Sequence, residues 1–73
     1  MPMENEFTEG VSLTKRELSI LQQVALGLTT PKIASVLSLS PETVKWYRKQ
    51  ILAKFSASTS AEMVRKAVAA HLI

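Results

Sequence analysis

The chain has 73 residues, of which 47% are hydrophobic, 5% aromatic and none cysteine; that length holds one domain near the lower limit for an unstapled core, and the composition excludes disulfides and thiolate zinc sites. No apolar run approaches the roughly 20 residues that span a bilayer, and the N-terminus lacks the basic and apolar regions of a signal peptide, so the expected location is the cytoplasm. The formal net charge is +3, yet Glu4, Glu6 and Glu9 all precede Leu13, and from there onward nine basic residues face three acidic ones, an excess suited to nucleic acid or an anionic membrane surface.

Residues 1–12 are polar, contain Pro2 and Gly10, and show neither helical nor strand periodicity, so they are expected to form a flexible acidic tail or linker ahead of a domain over 13–73. Thr14 and Glu17 have the spacing of a capping box, with Leu13 and Leu18 as its hydrophobic staple. A helix over about Lys15 to Leu26 follows, with a stripe of Leu18, Leu21, Val24 and Ala25, and Gly27 ends it. Arg16 and Glu17 are read as structural. Thr29 or Thr30 caps a second, short helix with Pro31 in its first turn and Ile33, Ala34 and Leu37 as its buried positions. Ser38 and Leu39 make a tight connection into the third helix.

That third helix, about Pro41 to Phe55, has a strong start. Ser40 is a good N-cap, Pro41 suits the first helical position, Glu42 complements the helix dipole, and Leu39 can staple onto Val44. After Glu42 it carries Lys45, Arg48, Lys49 and Lys54 and no acid. At 3.6 residues per turn Val44, Arg48, Ile51 and Phe55 share one side, while Lys45, Trp46, Lys49 and Ala53 share another. One face is thus anchored and the other is free to meet an anion. A turn over Ser56 to Ser58 precedes a second capping box, Thr59 with Glu62, and a fourth helix over about Ser60 to Leu72 that packs through Val64, Ala67, Val68 and Leu72. Met63, Ala69 and Ala70 read either as a small apolar seam on its outer side, suited to a weak dimer, or as scattered surface residues. No strand alternation or internal repeat appears, so the fold class is all-α with four helices. The second and third helices, joined by three or four residues, have the layout of a helix-turn-helix. His71 alone builds neither a metal site nor a catalyst, and without Cys, Asp or a second His no enzymatic activity or cofactor is expected.

The residues Leu13-Thr14-Lys15-Arg16-Glu17, Gly27, Ile33-Ala34, Leu37, Ser40, Thr43-Val44-Lys45, Ile51 and Lys54-Phe55 resemble the signature of the LuxR/FixJ-type helix-turn-helix over about sixty residues without a gap. The resemblance implies a four-helix DNA-binding domain of transcriptional regulators, usually the output half of a response regulator or small-molecule sensor. Its third helix enters the major groove and its fourth often pairs two domains. By that resemblance Lys45, Trp46 and Lys49 stand at base-reading positions, and Thr43, Lys54, Thr29, Thr30 and Lys32 stand near phosphate contacts. Tyr47 and Arg48 are further phosphate candidates, the first equally suited to partial burial beside Lys54 and the second able to turn to a Glu instead. The chain departs from the pattern at Tyr47, often His, at Gln50, often Asn, and at Lys32, often Glu. Ser60 replaces a frequent Arg, and His71 a Gly. A weaker resemblance extends to region four of sigma factors.

These readings lead to a sequence-specific regulator that binds repeated half-sites on double-stranded DNA as a weak homodimer, with RNA polymerase a further partner. The alternative is a protein-interaction module whose basic face meets an acidic partner, with Trp46 as its hot spot.

Overall fold

The computed structural model describes residues 11–73. Four helices run through them, α1 (Lys15–Ala25), α2 (Thr30–Leu37), α3 (Pro41–Lys54) and α4 (Ser60–Ala69), with no strand among the described residues. Most of the segment expected to be a tail, residues 1–10, lies outside the described residues. Its last two residues belong to the folded unit: Val11 is half-buried against the core, and the Ser12 carbonyl accepts a hydrogen bond of 2.7 Å from Lys54 Nζ. The folded unit therefore includes residues 11 and 12, ahead of the expected boundary at Leu13.

Every helix begins on a hydroxyl cap. Thr14 Oγ1 accepts from the Glu17 amide at 3.1 Å and the Glu17 carboxylate accepts from the Thr14 amide at 3.0 Å, which completes the expected box. Thr29, not Thr30, caps α2, accepting from the Lys32 amide at 3.4 Å. Ser40 caps α3 through the Thr43 amide at 3.1 Å, with Pro41 entering the helix behind it. At α4 only half of the expected box forms. Thr59 Oγ1 accepts from the Glu62 amide at 3.1 Å, but the Glu62 carboxylate reaches past Thr59 to the Ser58 amide at 2.8 Å. Either arrangement satisfies an orphan amide at the helix start, so the two geometries compete closely.

The four helices also stop alike. Gly27, Ser38, Ser56 and His71 take positive φ of 90°, 58°, 52° and 59°. Behind each, the next amide bonds to a carbonyl five residues back, as in Leu28 to Gln23, Leu39 to Ala34, Ala57 to Leu52 and Leu72 to Ala67. These are Schellman closures. Each places an apolar residue, Leu28, Leu39, Ala57 or Leu72, against the core. Leu39 serves twice, ending α2 and preceding the cap of α3, which limits the connection to Ser38, Leu39 and Ser40. The same closure ends α4 at Ala69, earlier than the expected Leu72, because the left-handed turn at His71 folds Leu72 and Ile73 back onto the core.

The core consists of Ile20 and Leu21 from α1, Ile33 and Ala34 from α2, Val44, Ile51 and Phe55 from α3 and its end, and Met63 and Ala67 from α4. α3 is central: it packs on α1, α2 and α4, whereas α2 and α4 do not pack on each other. Two expected stripes are rotated. In α1 the inward line is Glu17, Ile20, Leu21 and Val24, with Ala25 exposed and Leu18 only half-buried. In α4 it is Met63 and Ala67, while Val68 is 54% exposed. Successive helical positions differ by about 100°, so misplacing the stripe by one residue turns it a quarter circle. Met63 is wholly buried, which removes it from any outer seam. Ala69 is exposed and Ala70 half-buried.

Candidate nucleic-acid interface

The exposed side of α3 follows from how its other side is spent. Val44, Ile51 and Phe55 fall at intervals of seven and four residues, a helical spacing that buries all three in the core. Lys45, Trp46 and Lys49 are consequently exposed, as their phase requires. Lys45 and Lys49 stand one turn apart, so two ammonium groups line one face with no acid on the helix beyond its first turn. Trp46 lies between them and is 56% exposed. Its indole meets the Tyr47 ring edge-on, with centroids 5.1 Å apart and planes at 79°. Tyr47 is half-buried against the core, so this aromatic pair gives Trp46 a fixed backing while leaving much of its surface open.

The residues considered for phosphate contact divide into two groups. Thr29 and Lys32 are exposed at the start of α2, and Thr43, half-buried in the first turn of α3, shares a hydrogen bond of 2.9 Å with the Ser40 hydroxyl. These lie at helix starts, where backbone dipoles favour an anion, although the Lys32 and Thr43 amides already donate to the caps Thr29 and Ser40. The second group has partners inside the domain. Lys54 Nζ donates to Glu17 Oε1 at 2.6 Å as well as to the Ser12 carbonyl. Arg48 donates through Nη1 to Thr30 Oγ1 at 3.1 Å and through Nη2 to Ser60 Oγ at 2.6 Å. Thr30, Arg48 and Lys54 thus hold helices together. Within the domain Arg48 meets two hydroxyls and no Glu.

The ion pair under α3 also explains Glu17 more fully than the capping box does. Burial of its carboxyl raises its pKa, but the hydrogen bond and charge of Lys54 and the two bonds from Thr14 outweigh that, and the pKa lies below the ordinary glutamate value. A second cation closes the same, C-terminal end of α3. Lys66 Nζ donates to the carbonyls of Phe55 at 3.0 Å and Ser56 at 3.2 Å and pairs with Glu62 at 3.3 Å. A positive group at a helix C-terminus complements the dipole there. The Ser58 amide and Lys66 hold the Glu62 carboxyl below its usual pKa as well. None of the partnerships of Arg48, Lys54 or Lys66 was expected. Apart from the Lys66–Glu62 pair one turn apart, they join residues 10 to 42 positions apart, a range over which helical spacing carries no signal.

A basic recognition surface on the second helix of a helix-turn-helix is the geometry of a major-groove reader. Residues 11–67 match the family described as bacterial regulatory proteins of the luxR type. The chain belongs to the luxR family of bacterial regulatory proteins. It is accordingly a DNA-binding, transcription-regulating domain of that family, which confirms the resemblance read from the sequence. Among its relatives, the nitrate/nitrite response regulator protein NarP of Escherichia coli is 41% identical over 61 residues, covering 84% of this chain and 25% of NarP. The transcriptional regulatory protein UhpA of the same organism is 37% identical over 54 residues, 74% of this chain and 28% of UhpA. The transcriptional regulatory protein FixJ of Bradyrhizobium diazoefficiens is 32% identical over 62 residues, 85% of this chain and 30% of FixJ. The luxR-family domain described here therefore spans between a quarter and a third of these relatives. No solved structure matches it significantly. Among the described residues no helix is long and apolar enough to cross a membrane.

Proposed function

We propose that this luxR-family domain reads a specific DNA sequence through Lys45, Trp46 and Lys49, and does so as a pair of copies on repeated half-sites. The observation that carries the reading is the division of α3: one face fully buried, the opposite face presenting two lysines and a half-exposed tryptophan. An ammonium donates to guanine O6 or N7, and an indole face covers a thymine methyl. Thr29, Lys32 and Thr43, with the Tyr47 hydroxyl, are the phosphate contacts that set the register without carrying sequence information. Half-sites lie about one helical turn apart. Pairing runs through an apolar surface at the end of α1 and on α4, in which exposed Leu26 and Val68 take the place of the buried Met63 beside the expected Ala69 and half-buried Ala70. The domain works in the cytoplasm as the output part of a regulator whose signal is received elsewhere in the protein, as the response-regulator relatives suggest.

The test is selection of bound molecules from a random duplex pool at moderate salt, followed by sequencing. Enrichment of a repeated half-site is the expected result. Lys49→Ala then weakens binding by about 1–3 kcal/mol at one base position only. Retention without enrichment defeats base reading. A second reading rests on Trp46, whose exposed ring equally suits a protein partner such as RNA polymerase; absence of DNA retention at low salt, with polymerase bound, decides for it.

A further inference from the structure

The side of α3 that faces away from Trp46 is held in an unusual way for a helix so central to the core. Its fully buried residues, Val44 and Ile51, sit seven positions apart. Between them lies the turn that carries Lys45, Trp46 and Lys49, and that turn contributes only half-buried Tyr47 and Arg48 to the interior. Apolar packing is non-directional and tolerates small rolls of a helix about its axis. Hydrogen bonds to fixed groups do not.

Arg48 supplies two such bonds. Thr30 is the first residue of α2 behind its cap Thr29, and Ser60 the first residue of α4 behind its cap Thr59, so both hydroxyls belong to backbone that the caps already fix. α2 and α4 do not pack on each other; the Arg48 guanidinium spans the space between their starts. Among the described residues no carboxylate pairs with it. Its charge instead sits at the positive ends of two helix dipoles, an electrostatically poor place. The two hydrogen bonds that hold it there fix its position between the two helix starts.

We infer that Arg48 is a positioning residue, clasping Thr30 and Ser60 so as to set the roll of α3 and thereby the direction of Lys45, Trp46 and Lys49. This inference rests on the base-reading role proposed above. Arg48 is two residues from Trp46, about 200° around the helix, so a tether at Arg48 opposes displacement of Trp46 almost directly. With side-chain tips about 5–6 Å from the axis, a roll of about 10° moves them by about 1 Å, enough to spoil a bidentate contact to a base.

The experiment compares the whole chain with Arg48→Met and with the double variant Thr30→Val/Ser60→Ala, which retains the charge and removes both acceptors. Affinity for the selected duplex and for a scrambled duplex is measured across salt concentrations. In both variants the ratio of specific to non-specific affinity falls about tenfold, with the salt slope unchanged and the melting midpoint within about 4 °C of wild type. Two results overturn the clasp. One is a salt slope reduced by about one in Arg48→Met with both affinities lowered equally, which makes Arg48 a phosphate contact. The other is a double variant that discriminates as wild type does. If the wild-type chain itself shows no sequence preference, base reading fails, and the clasp is judged by amide chemical shifts alone. Changes at Lys45 to Lys49 common to both variants support it, and changes confined to the substituted residues refute it.

Discussion

A non-glycine residue at positive φ carries a local cost of about 1–2 kcal/mol, and this domain places three of them, Ser38, Ser56 and His71, at helix ends. Only the first helix uses glycine, at Gly27. The cost is tolerated because each closure satisfies two helix-terminal carbonyls and swings an apolar residue onto the core. At His71 the left-handed turn is one that glycine, the residue of the resembled family pattern there, adopts without strain. Ser56→Gly and His71→Gly should each stabilise the domain by about 0.5–1 kcal/mol, the relief of strain exceeding the added entropy of the unfolded chain. Thermal unfolding monitored by circular dichroism should show midpoints a few degrees higher for each, since about 1 kcal/mol shifts a domain of this size by roughly 4–8 °C. An unchanged or lower midpoint would mean that neither side chain is strained.

At the scale of the element, the caps were legible because they are local. Thr14 with Glu17, Ser40 with Thr43 and Pro41 at the helix start all act within one turn, where residue type fixes geometry. The faces of α3 were legible for the same reason, since Val44, Ile51 and Phe55 leave only one phase for the helix. α1 and α4 are richer in apolar residues than they have room to bury, so Leu18 against Ile20, and Val68 against Met63, could be sorted only by packing. Lys54 illustrates the larger gap. The family resemblance put it near a phosphate; nothing in its position announced that its ammonium is bound by α1 through Glu17, 37 residues away in the chain. This link makes α3 sensitive to acid. Because folding lowers the Glu17 pKa, the stabilisation is fully present above the ordinary value of 4.5. It is lost as pH falls through the lower folded-state value. Glu17→Gln should cost about 1–3 kcal/mol at neutral pH and flatten the fall in stability below pH about 4.5. Lys54→Met should move the acid loss to higher pH, because burial of the carboxyl then meets less opposition. Urea midpoints between pH 3 and 7 measure both, and parallel curves for wild type and Glu17→Gln would show that the pair is not the acid-sensitive element.

For the whole molecule, the proposed pairing surface is the part of α4 and the end of α1 that lies outside the core. Leu26 is 72% exposed and Val68 54%, and with Ala25 and Ile73 they border one shallow apolar depression. A closed two-fold dimer would use this same patch on both copies. The patch is small against the roughly 800 Å² per partner of a stable interface. The domain alone should therefore be monomeric, and pairing should emerge on DNA, where neighbouring half-sites raise the effective concentration. Leu26→Glu and Val68→Glu should leave affinity for a single half-site unchanged and lower the cooperativity on a double site by about 1–3 kcal/mol, a typical coupling energy. Met63→Ala provides the contrast. Its side chain is in the core, so it should cost about 2–5 kcal/mol of folding stability and act on binding only through the fraction unfolded. Gel-shift titrations on single and double sites, beside sedimentation of the free domain, separate these effects. Undiminished cooperativity in both glutamate variants would place the pairing surface elsewhere on the domain, or in the part of a longer regulator to which such a domain is joined.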